Sequence, residues 1–382
     1  MPPFNQKNTS LICNVDPQGD VSLVPTGTFQ ARVFDVHPAF IRISTDRLRR
    51  ASSLFHELIY NSFLADDELR LPSEGRTSVF LPPDHDPEAL LILMRILHGQ
   101  TQDVPQEVNL YVLRDIAFLV DTYRLQSLDS VCALVPRWVE QASHDSDQRD
   151  IHGKLAAANA MAQIAWCFNF PRVFEAATRV LIVDTHPGST DLVVPSESAG
   201  RPLLGCARRS IHKMQTRCVT KINQYRQELL EKMCDVVREA RNTQLEDGAT
   251  NTSDVVYSGR SRMRIGNEPR HERIAACLDS IVRRASTTPG ACSPATFRAE
   301  VERTREYVGQ YPVHSRLRNR KNRDASNQGC EDIVQSMLDR LDELLKGTHG
   351  LTLSLYRGYQ PPAVPQGVEV RFRRFQWLFG GN

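Results

Sequence analysis

The chain has 382 residues, of which 41% are hydrophobic and 24% charged, and its formal net charge is +2. This composition is typical of a globular chain with two or three domains, and the near-neutral charge argues against a strong general attraction to nucleic acid or to acidic membranes. No apolar run approaches the roughly 18 residues of a membrane span, and the N-terminus lacks the pattern of a signal peptide. Nine scattered cysteines without a CxxC pair indicate reduced thiols in an intracellular protein of the cytoplasm or nucleus.

Short strands are predicted near the N-terminus. Residues 15–24, "VDPQGDVSLV", contain a turn at Pro17–Gly19 between strand-forming residues, and "FQARVFDV" at 29–36 and "TSVFLP" at 77–82 are further candidates. Because a few strands come first and helices accumulate later, the pattern predicts an α+β fold rather than a doubly wound one.

Two amphipathic helices are predicted in the same region. Residues 43–60 predict one helix, with Ser44 or Thr45 as its cap, and residues 109–125 predict another. Their apolar faces consist of Leu48, Ala51, Phe55 and Leu58 in the first helix, and of Leu113, Ile116, Ala117 and Val120 in the second.

Residues 81–100 bring together four side chains of types that bind divalent metals: Asp84, His85, Asp86 and His98. A helix between the two histidines would hold them roughly 18 Å apart at 1.5 Å per residue, so no single ion can bind both. The sequence therefore predicts no metal site here, and replacement of either histidine is expected to leave stability nearly unchanged.

A buried helix explains the same stretch better than a metal site does. Asp86 can cap the helix, Pro87 suits its first position, and Gly99 suits its end. Apolar residues cover nearly all sides of this helix: Leu90, Leu93, Met94 and Leu97 on one face, with Leu91, Ile92 and Ile96 beside them.

The chain continues with further helices. Residues 128–141 predict a helix interrupted at Pro136, residues 150–184 predict a helical pair, and residues 185–202 predict a loop from their glycine, proline and serine content. The apolar seams of the pair are Leu155, Ala158, Ala162 and Trp166, followed by Phe174, Ala177 and Leu181.

A long helix completes the predicted helical extension, which spans 150–240. Its stripe lacks a strict heptad, so it indicates packing within the chain rather than a coiled coil. The stripe consists of Ile211, Met214, Cys218, Ile222, Tyr225, Leu229 and Val236. The polar residues 241–270 predict a flexible insertion.

The C-terminal segment, 271–356, is again predicted to be helical. Its helices are expected at 271–285, 294–308 and 330–347. A basic, polar linker is predicted at 311–329, a strand at 351–356, and a tail at 357–382 that mixes arginines with aromatic residues.

The sequence contains no catalytic signature: no phosphate-binding loop, dinucleotide-binding turn, HExxH helix or nucleophile elbow. It therefore predicts no enzyme, no cofactor and no metal site. A zinc- or cysteine-dependent enzyme would rest only on thiols such as Cys206, Cys218 and Cys234, which are too far apart on one helix for a single ion. An alternative function is a nuclear regulatory protein that contacts nucleic acid through the basic linker at 316–323, which contains Arg316, Arg318, Arg320, Lys321 and Arg323.

Residues 15–142 resemble a BTB/POZ domain of the filamentous-fungal type. The matching stretches are "DPQGDVSLV", "ISTDRLRRASSLFHELI", "LPPDHDPEALLILMRILHG" and "LRDIAFLVDTYRL". That family has a small sheet, a helix that starts at a serine or threonine, a strand, and then a D-P-E-A sequence that opens a helix closing with H-G. Asp86–Ala89 and His98–Gly99 stand at these two places. A weaker resemblance to the helices that follow the domain in fungal proteins covers 150–355.

The resemblance implies a protein–protein interaction module that acts as a scaffold or adaptor, with a cullin-type ubiquitin ligase among its partners. Many such domains dimerise by exchanging an N-terminal helix and strand. Residues 1–14 are predicted to be flexible, because turn-forming and capping residues dominate them and only Phe4 and Leu11 are large and apolar before Ile12. The exchanged homodimer is therefore not expected.

Overall fold

The computed structural model describes residues 11–25, 38–65, 77–81, 85–125, 129–144, 151–185, 208–252, 270–287, 292–310 and 320–353. These residues fall into two compact units. The first unit holds the described residues through Ala177 together with 208–217 and 352–353, and the second holds 178–185 and 218–351. Predictions for 1–10, 29–36, 186–202, 253–269, 311–319 and 354–382 lie outside the described residues.

The described residues form four strands and eleven α-helices, so the predicted α+β class is correct. The strands are β1 (Leu11–Asn14), β2 (Val21–Pro25), β3 (Pro38–Ile43) and β4 (Thr77–Leu81). The helices are α1 (Thr45–Ala51), α2 (Ser53–Ala65), α3 (Pro87–Leu97), α4 (Leu110–Thr122), α5 (Asp129–His144), α6 (Ile151–Phe168), α7 (Pro171–Asp184), α8 (Arg208–Thr252), α9 (Arg270–Thr287), α10 (Pro294–Gln310) and α11 (Arg320–Lys346).

The sheet of the first unit has the order β1-β3-β2-β4. Strand β3 pairs in parallel with β1 and antiparallel with β2, and β2 pairs in parallel with β4. Alternate residues are fully buried on one face of the sheet: Val21, Leu23, Ile41, Ile43, Val79 and Leu81. The sequence interpretation missed β3, although Ile41 and Ile43 show the period of two that a half-buried strand requires.

The prediction that residues 1–14 are flexible is wrong for 11–14, which form β1 and pair with β3. The predicted turn between β1 and β2 is correct, and one glycine makes it possible. The Gly19 N–H donates to the Asp16 carbonyl at 2.9 Å. A Cβ at position 19 would collide with the Ile43 carbonyl of the neighbouring strand. Only glycine permits this close approach of two backbones.

The single helix predicted over 43–60 is wrong, because the chain breaks at Ser52 into α1 and α2. Ser52 is extended, with φ −154° and ψ 127°. Its hydroxyl donates to the Tyr123 carbonyl at 2.6 Å and accepts the Phe55 N–H at 3.2 Å. Ser52 therefore ends one helix and caps the next, a role that depends on a residue 71 positions away.

The predicted helix α3 is confirmed in detail. The Asp86 carboxylate accepts the N–H groups of Glu88 and Ala89 at 3.0 and 2.9 Å, and Pro87 occupies the first turn. The buried side chains of α3 are those of Pro87, Glu88, Ala89, Leu90, Leu91, Ile92, Leu93, Met94 and Ile96.

The predicted interruption at Pro136 is wrong, because α5 continues through this residue. A proline inside a helix costs about 3 kcal/mol. The buried face of α5, which consists of Val131, Val135, Trp138, Val139 and Ala142, offsets this cost. The Trp138 indole N–H also donates to the Pro105 carbonyl at 3.2 Å.

Three helices of the first unit end in the same local motif. The residues that follow α3, α4 and α6 have positive φ: Gly99 (76°), Arg124 (54°) and Asn169 (59°). In each case the next N–H donates to a carbonyl five residues back: Gln100 to Arg95, Leu125 to Val120, and Phe170 to Ala165. This is the Schellman arrangement, which satisfies the free carbonyls at a helix end.

The helices of the second unit are longer than predicted. Helix α8 continues to Thr252, into the segment 241–270 that was predicted to be flexible. Helix α11 begins at Arg320, so the last ten residues of the predicted linker 311–329 are helical. The predicted strand at 351–356 is wrong for residues 351–353, where the Leu351 N–H donates to the Thr178 hydroxyl at 2.8 Å instead.

A ring of ion pairs joins the helices of the second unit in turn. The pairs are Arg241–Asp279 (α8 to α9, 2.9 Å), Arg284–Glu300 (α9 to α10, 3.2 Å), Arg298–Asp342 (α10 to α11, 2.8 Å) and Arg340–Glu239 (α11 to α8, 2.7 Å). Since most of these groups are half-exposed, each pair contributes little alone and mainly fixes which helices are neighbours.

The buried stripe of α8 contains a charge. Cys218, Ile222, Leu229 and Val236 are buried as predicted, but Tyr225 is exposed and Arg226 takes its place in the interior. The Arg226 Nη2 donates to the Leu181 carbonyl at 3.0 Å and to the Thr185 hydroxyl, so this guanidinium caps the C-terminal end of α7. Burial lowers the pKa of Arg226 to about 10.

A second arginine plays the same role for α11. The half-buried Arg179, on α7, donates from Nη2 to the Leu345 carbonyl at 3.0 Å and from Nε to the Thr348 carbonyl at 2.9 Å. Two helices of the second unit therefore end against cationic side chains of neighbouring helices, where the helix dipole is negative.

Candidate interaction surface

The three described metal-type residues of 81–100, namely His85, Asp86 and His98, are not brought together. Asp86 caps α3, His85 and His98 lie at opposite ends of that helix, and Asp84 lies outside the described residues. Within the part of the chain that the structure describes, no three His, Cys, Asp or Glu side chains are placed to hold a metal ion.

His98 fastens α3 to the start of α1. It is buried, its Nδ1 donates to the Met94 carbonyl at 2.8 Å, and its Nε2 accepts the Ser44 N–H at 3.0 Å. Burial lowers the pKa of His98, which keeps the imidazole neutral and Nε2 free to accept. The Arg47 guanidinium adds a bond to the His98 carbonyl at 3.0 Å.

His85 is also buried and bonded. Its Nε2 lies 2.8 Å from the Tyr123 Oη, and its ring meets Tyr123 and Phe118 edge-on. The Tyr123 ring stacks on Phe55 of α2, with 3.7 Å between centroids. The expectation that both histidines are dispensable is therefore revised, because each replacement would remove buried hydrogen bonds.

The N-terminal end of α1 is capped from outside the helix. Neither predicted residue caps it: the Ser44 side chain makes no capping bond, and Thr45 is itself a donor to the cap. The Asp20 carboxylate, from the turn before β2, accepts the Thr45 N–H at 2.9 Å and its hydroxyl at 2.5 Å. Asp20, His98 and Arg47 together fix the position of α1.

An open groove of about 230 Å³ lies between α1 and α2. Thr45, Asp46 and Arg49 line it from α1, and His56, Ile59 and Tyr60 line it from α2. Ile59 is buried, whereas the Tyr60 side chain is 54% exposed. The His56 and Tyr60 rings lie nearly parallel, with 6.1 Å between centroids.

Two exposed arginines pair with the groove-lining Asp46, and one of them, Arg49, also lines the groove. Asp46 pairs with Arg49 at 3.2 Å and with Arg50 at 2.5 Å, and the two arginine side chains are 61% and 76% exposed. Exposed pairs of this kind contribute at most about 1 kcal/mol, so the guanidinium groups can exchange the carboxylate for another acceptor.

Two further large apolar side chains are exposed in the described residues. Phe80, 45% exposed, lies on β4 at one end of the strand order, and Tyr225, 36% exposed, lies on α8. Neither of them lines the groove between α1 and α2, whereas Tyr60 does. The sequence interpretation named no partner-binding residue. The one sequence signal for Tyr60 is that this aromatic residue lies outside the predicted apolar face of its helix.

The residues behind the alternative functions are only partly described by the structure. Cys218 is buried on α8, and burial raises the pKa of its thiol to about 12, which makes it a poor nucleophile or ligand. Cys206, Arg316 and Arg318 lie outside the described residues, and Arg320 begins α11.

The groove is small compared with typical ligand sites. Pockets for drug-sized ligands and cofactors measure about 300–1,000 Å³, and this groove is smaller and open. In the described part of the chain, no helix combines the length and the apolar character needed to cross a membrane. Comparisons of the chain with protein-family models, with curated proteins and with solved structures found no match.

Proposed function

We propose that this chain is a non-enzymatic, BTB/POZ-like interaction module that acts as a scaffold or adaptor, and that a partner protein binds the α1–α2 groove. The observation that carries the proposal is the exposed Tyr60 ring beside the buried Ile59, at a concavity of side-chain size. Aromatic side chains that combine exposure with a pocket are typical anchors of protein–protein contacts.

The order of elements supports the BTB/POZ-like part of the proposal. A small sheet is followed by a helix that begins after Ser44, by strand β4, and by a helix that runs from Asp86 to His98. Each motif residue has a structural role. Asp86 caps α3, His98 accepts the Ser44 N–H at the start of α1, and Gly99 has a φ of 76°.

The rigidity of the groove walls supports the binding role. Helix α1 is held by Asp20 and His98, and α2 is held by Ser52 and by the stack of Phe55 on Tyr123. A preformed surface loses less conformational entropy when a partner binds, which favours affinity.

Adaptor activity toward a cullin-type ubiquitin ligase is the finer part of the proposal. This activity rests on the resemblance of residues 15–142. A location inside the cell rests on the same resemblance, and the free cysteines of the described residues support it. Direct binding of a purified cullin to the full chain tests it. A cullin that does not bind would leave a scaffold role without a ligase.

The test of the groove compares the full-length chain with Tyr60→Ala. Proteins captured by the wild type are purified and their affinities measured one at a time. We expect Tyr60→Ala to weaken the groove partner about tenfold or more. Tyr225→Ala, which removes an exposed tyrosine from α8 instead, is the matched control and should change nothing. Equal binding by Tyr60→Ala for every captured partner would contradict the proposal.

A further inference from the structure

We propose that the α1–α2 groove takes an acidic segment of a partner protein, in which an aromatic or large aliphatic side chain lies next to carboxylates. This inference rests on the proposed function and names the chemistry of the partner.

The apolar half of the groove selects the central side chain. Ile59 provides a buried floor, and the parallel rings of His56 and Tyr60 provide a wall. A volume of about 230 Å³ accommodates one large side chain and part of its neighbour. Aromatic rings pack against such walls in offset or edge-on geometry and add attraction beyond their buried area.

The charge of α1 selects the neighbouring residues. Its seven residues, "TDRLRRA", hold three arginines and one aspartate. Asp46 is shared by Arg49 and Arg50, so α1 presents more positive charge than its own carboxylate neutralises. Carboxylates of a partner can form bidentate, charge-assisted bonds to these exposed guanidinium groups.

The same charges argue against other occupants. Residues 371–374 of this chain, "RFRR", are basic and would be repelled by Arg49 and Arg50. A nucleic-acid backbone carries the right charge for the arginines, but it offers no side chain for the apolar half formed by Ile59, His56 and Tyr60. A mixed acidic and aromatic protein segment satisfies both halves of the groove.

A display selection tests the proposal without a known partner. The immobilised full-length chain is presented with a library of random seven-residue peptides, and enriched sequences are then measured in solution as synthetic peptides. The same selection is run on Tyr60→Ala and on the double variant Arg49→Gln/Arg50→Gln. The matched control is Arg283→Gln/Arg284→Gln, an exposed adjacent pair on α9 that also has a carboxylate partner in Glu300.

We expect enriched peptides to carry Asp or Glu beside Phe, Trp, Tyr or Leu. Their affinity should fall about tenfold with Tyr60→Ala and with Arg49→Gln/Arg50→Gln, and should stay unchanged with the control pair. Versions of the peptides in which Asp is replaced by Asn should bind the wild-type chain as weakly as the original peptides bind Arg49→Gln/Arg50→Gln. Added salt should weaken the wild-type complex.

Two results would overturn the inference, and they are distinguishable. Peptides that need Tyr60 but are neutral or basic, or that bind the arginine variant equally well, would refute the acidic partner and leave the proposed function standing. A selection in which no enriched peptide depends on Tyr60 would refute both. Circular dichroism of each variant confirms that the substitutions leave the fold intact.

Discussion

Helix ends in the two units differ in how much they rely on side chains from other helices, although Arg47 also donates to the His98 carbonyl at the end of α3 in the first unit. In the first unit, α3, α4 and α6 close on their own backbone, with Gly99, Arg124 and Asn169 at positive φ. In the second unit, the carbonyls at the ends of α7 and α11 accept from Arg226 and Arg179, which lie 45 and 166 residues away from the carbonyls they meet. Both means satisfy carbonyls that a helix leaves without partners.

The difference concerns how far each helix depends on its neighbours. A Schellman motif forms from the backbone of its own helix, so its loss is expected to unwind only the last turn of that helix. An arginine end ties two helices, so the end of α7 is complete only when α8 is packed against it. The second unit should therefore be more sensitive to changes at helix ends than the first.

The largest effect is expected for Arg226→Ala. The change removes bonds to the Leu181 carbonyl and the Thr185 hydroxyl and leaves a cavity, so it should lower the free energy of unfolding by about 3 kcal/mol. Urea unfolding provides the measurement. Arg226→Met keeps the volume and removes a buried charge that has no carboxylate partner among the described residues, so it should cost less. Equal losses from the two variants would show that the guanidinium bonds, not the packing, carry the effect.

A smaller effect is expected for Asp86→Ala in the first unit. The change removes the local cap of α3, which accepts from Glu88 and Ala89, and should cost about 1 kcal/mol. Asp86→Asn keeps an acceptor oxygen and serves as the control. A loss for Asp86→Ala as large as that for Arg226→Ala would remove the contrast between the two units.

The smallest effect is expected from the titration of His98. Burial lowers its pKa in the folded state below the ordinary 6.5, so the unfolded state takes up a proton first as the pH falls. The contribution to stability is therefore complete above pH 6.5 and is lost as the pH falls below it. The facing charges are Arg47, which disfavours the proton, and Asp16, which favours it. Unfolding curves of the wild type and His98→Gln across this range measure the effect; a constant difference between them would count against it.

Local features of the fold could be predicted from the sequence because their causes lie within a few residues. The cap at Asp86, the end at Gly99 and the buried faces of α3 and α4 are of this kind. The break at Ser52 could not be predicted, since it depends on the Tyr123 carbonyl. The helical residues beyond 240 were misjudged because composition alone suggested flexibility, whereas a helix already formed extends at low cost and Arg241 pairs with Asp279.

The candidate site was harder to predict than the fold. The groove lies between α1 and α2, which the sequence pattern predicts as one helix. The start of α1 is capped by Asp20, which lies in the turn before β2. His85 and His98, the two histidines of the metal-type stretch, are buried and do not line the groove. Tyr60, which carries the proposal, has no motif around it and is distinguished only by its exposure beside a concavity.

The break at Ser52 has a geometric consequence for this surface. In one straight helix, Thr45 and Tyr60 would stand about 22 Å apart along the axis at 1.5 Å per residue, and no shared concavity could exist. The bend brings both residues to the lining of a single groove. The bonds of the Ser52 hydroxyl thus determine the shape of the groove, although Ser52 is buried and would not contact a bound partner.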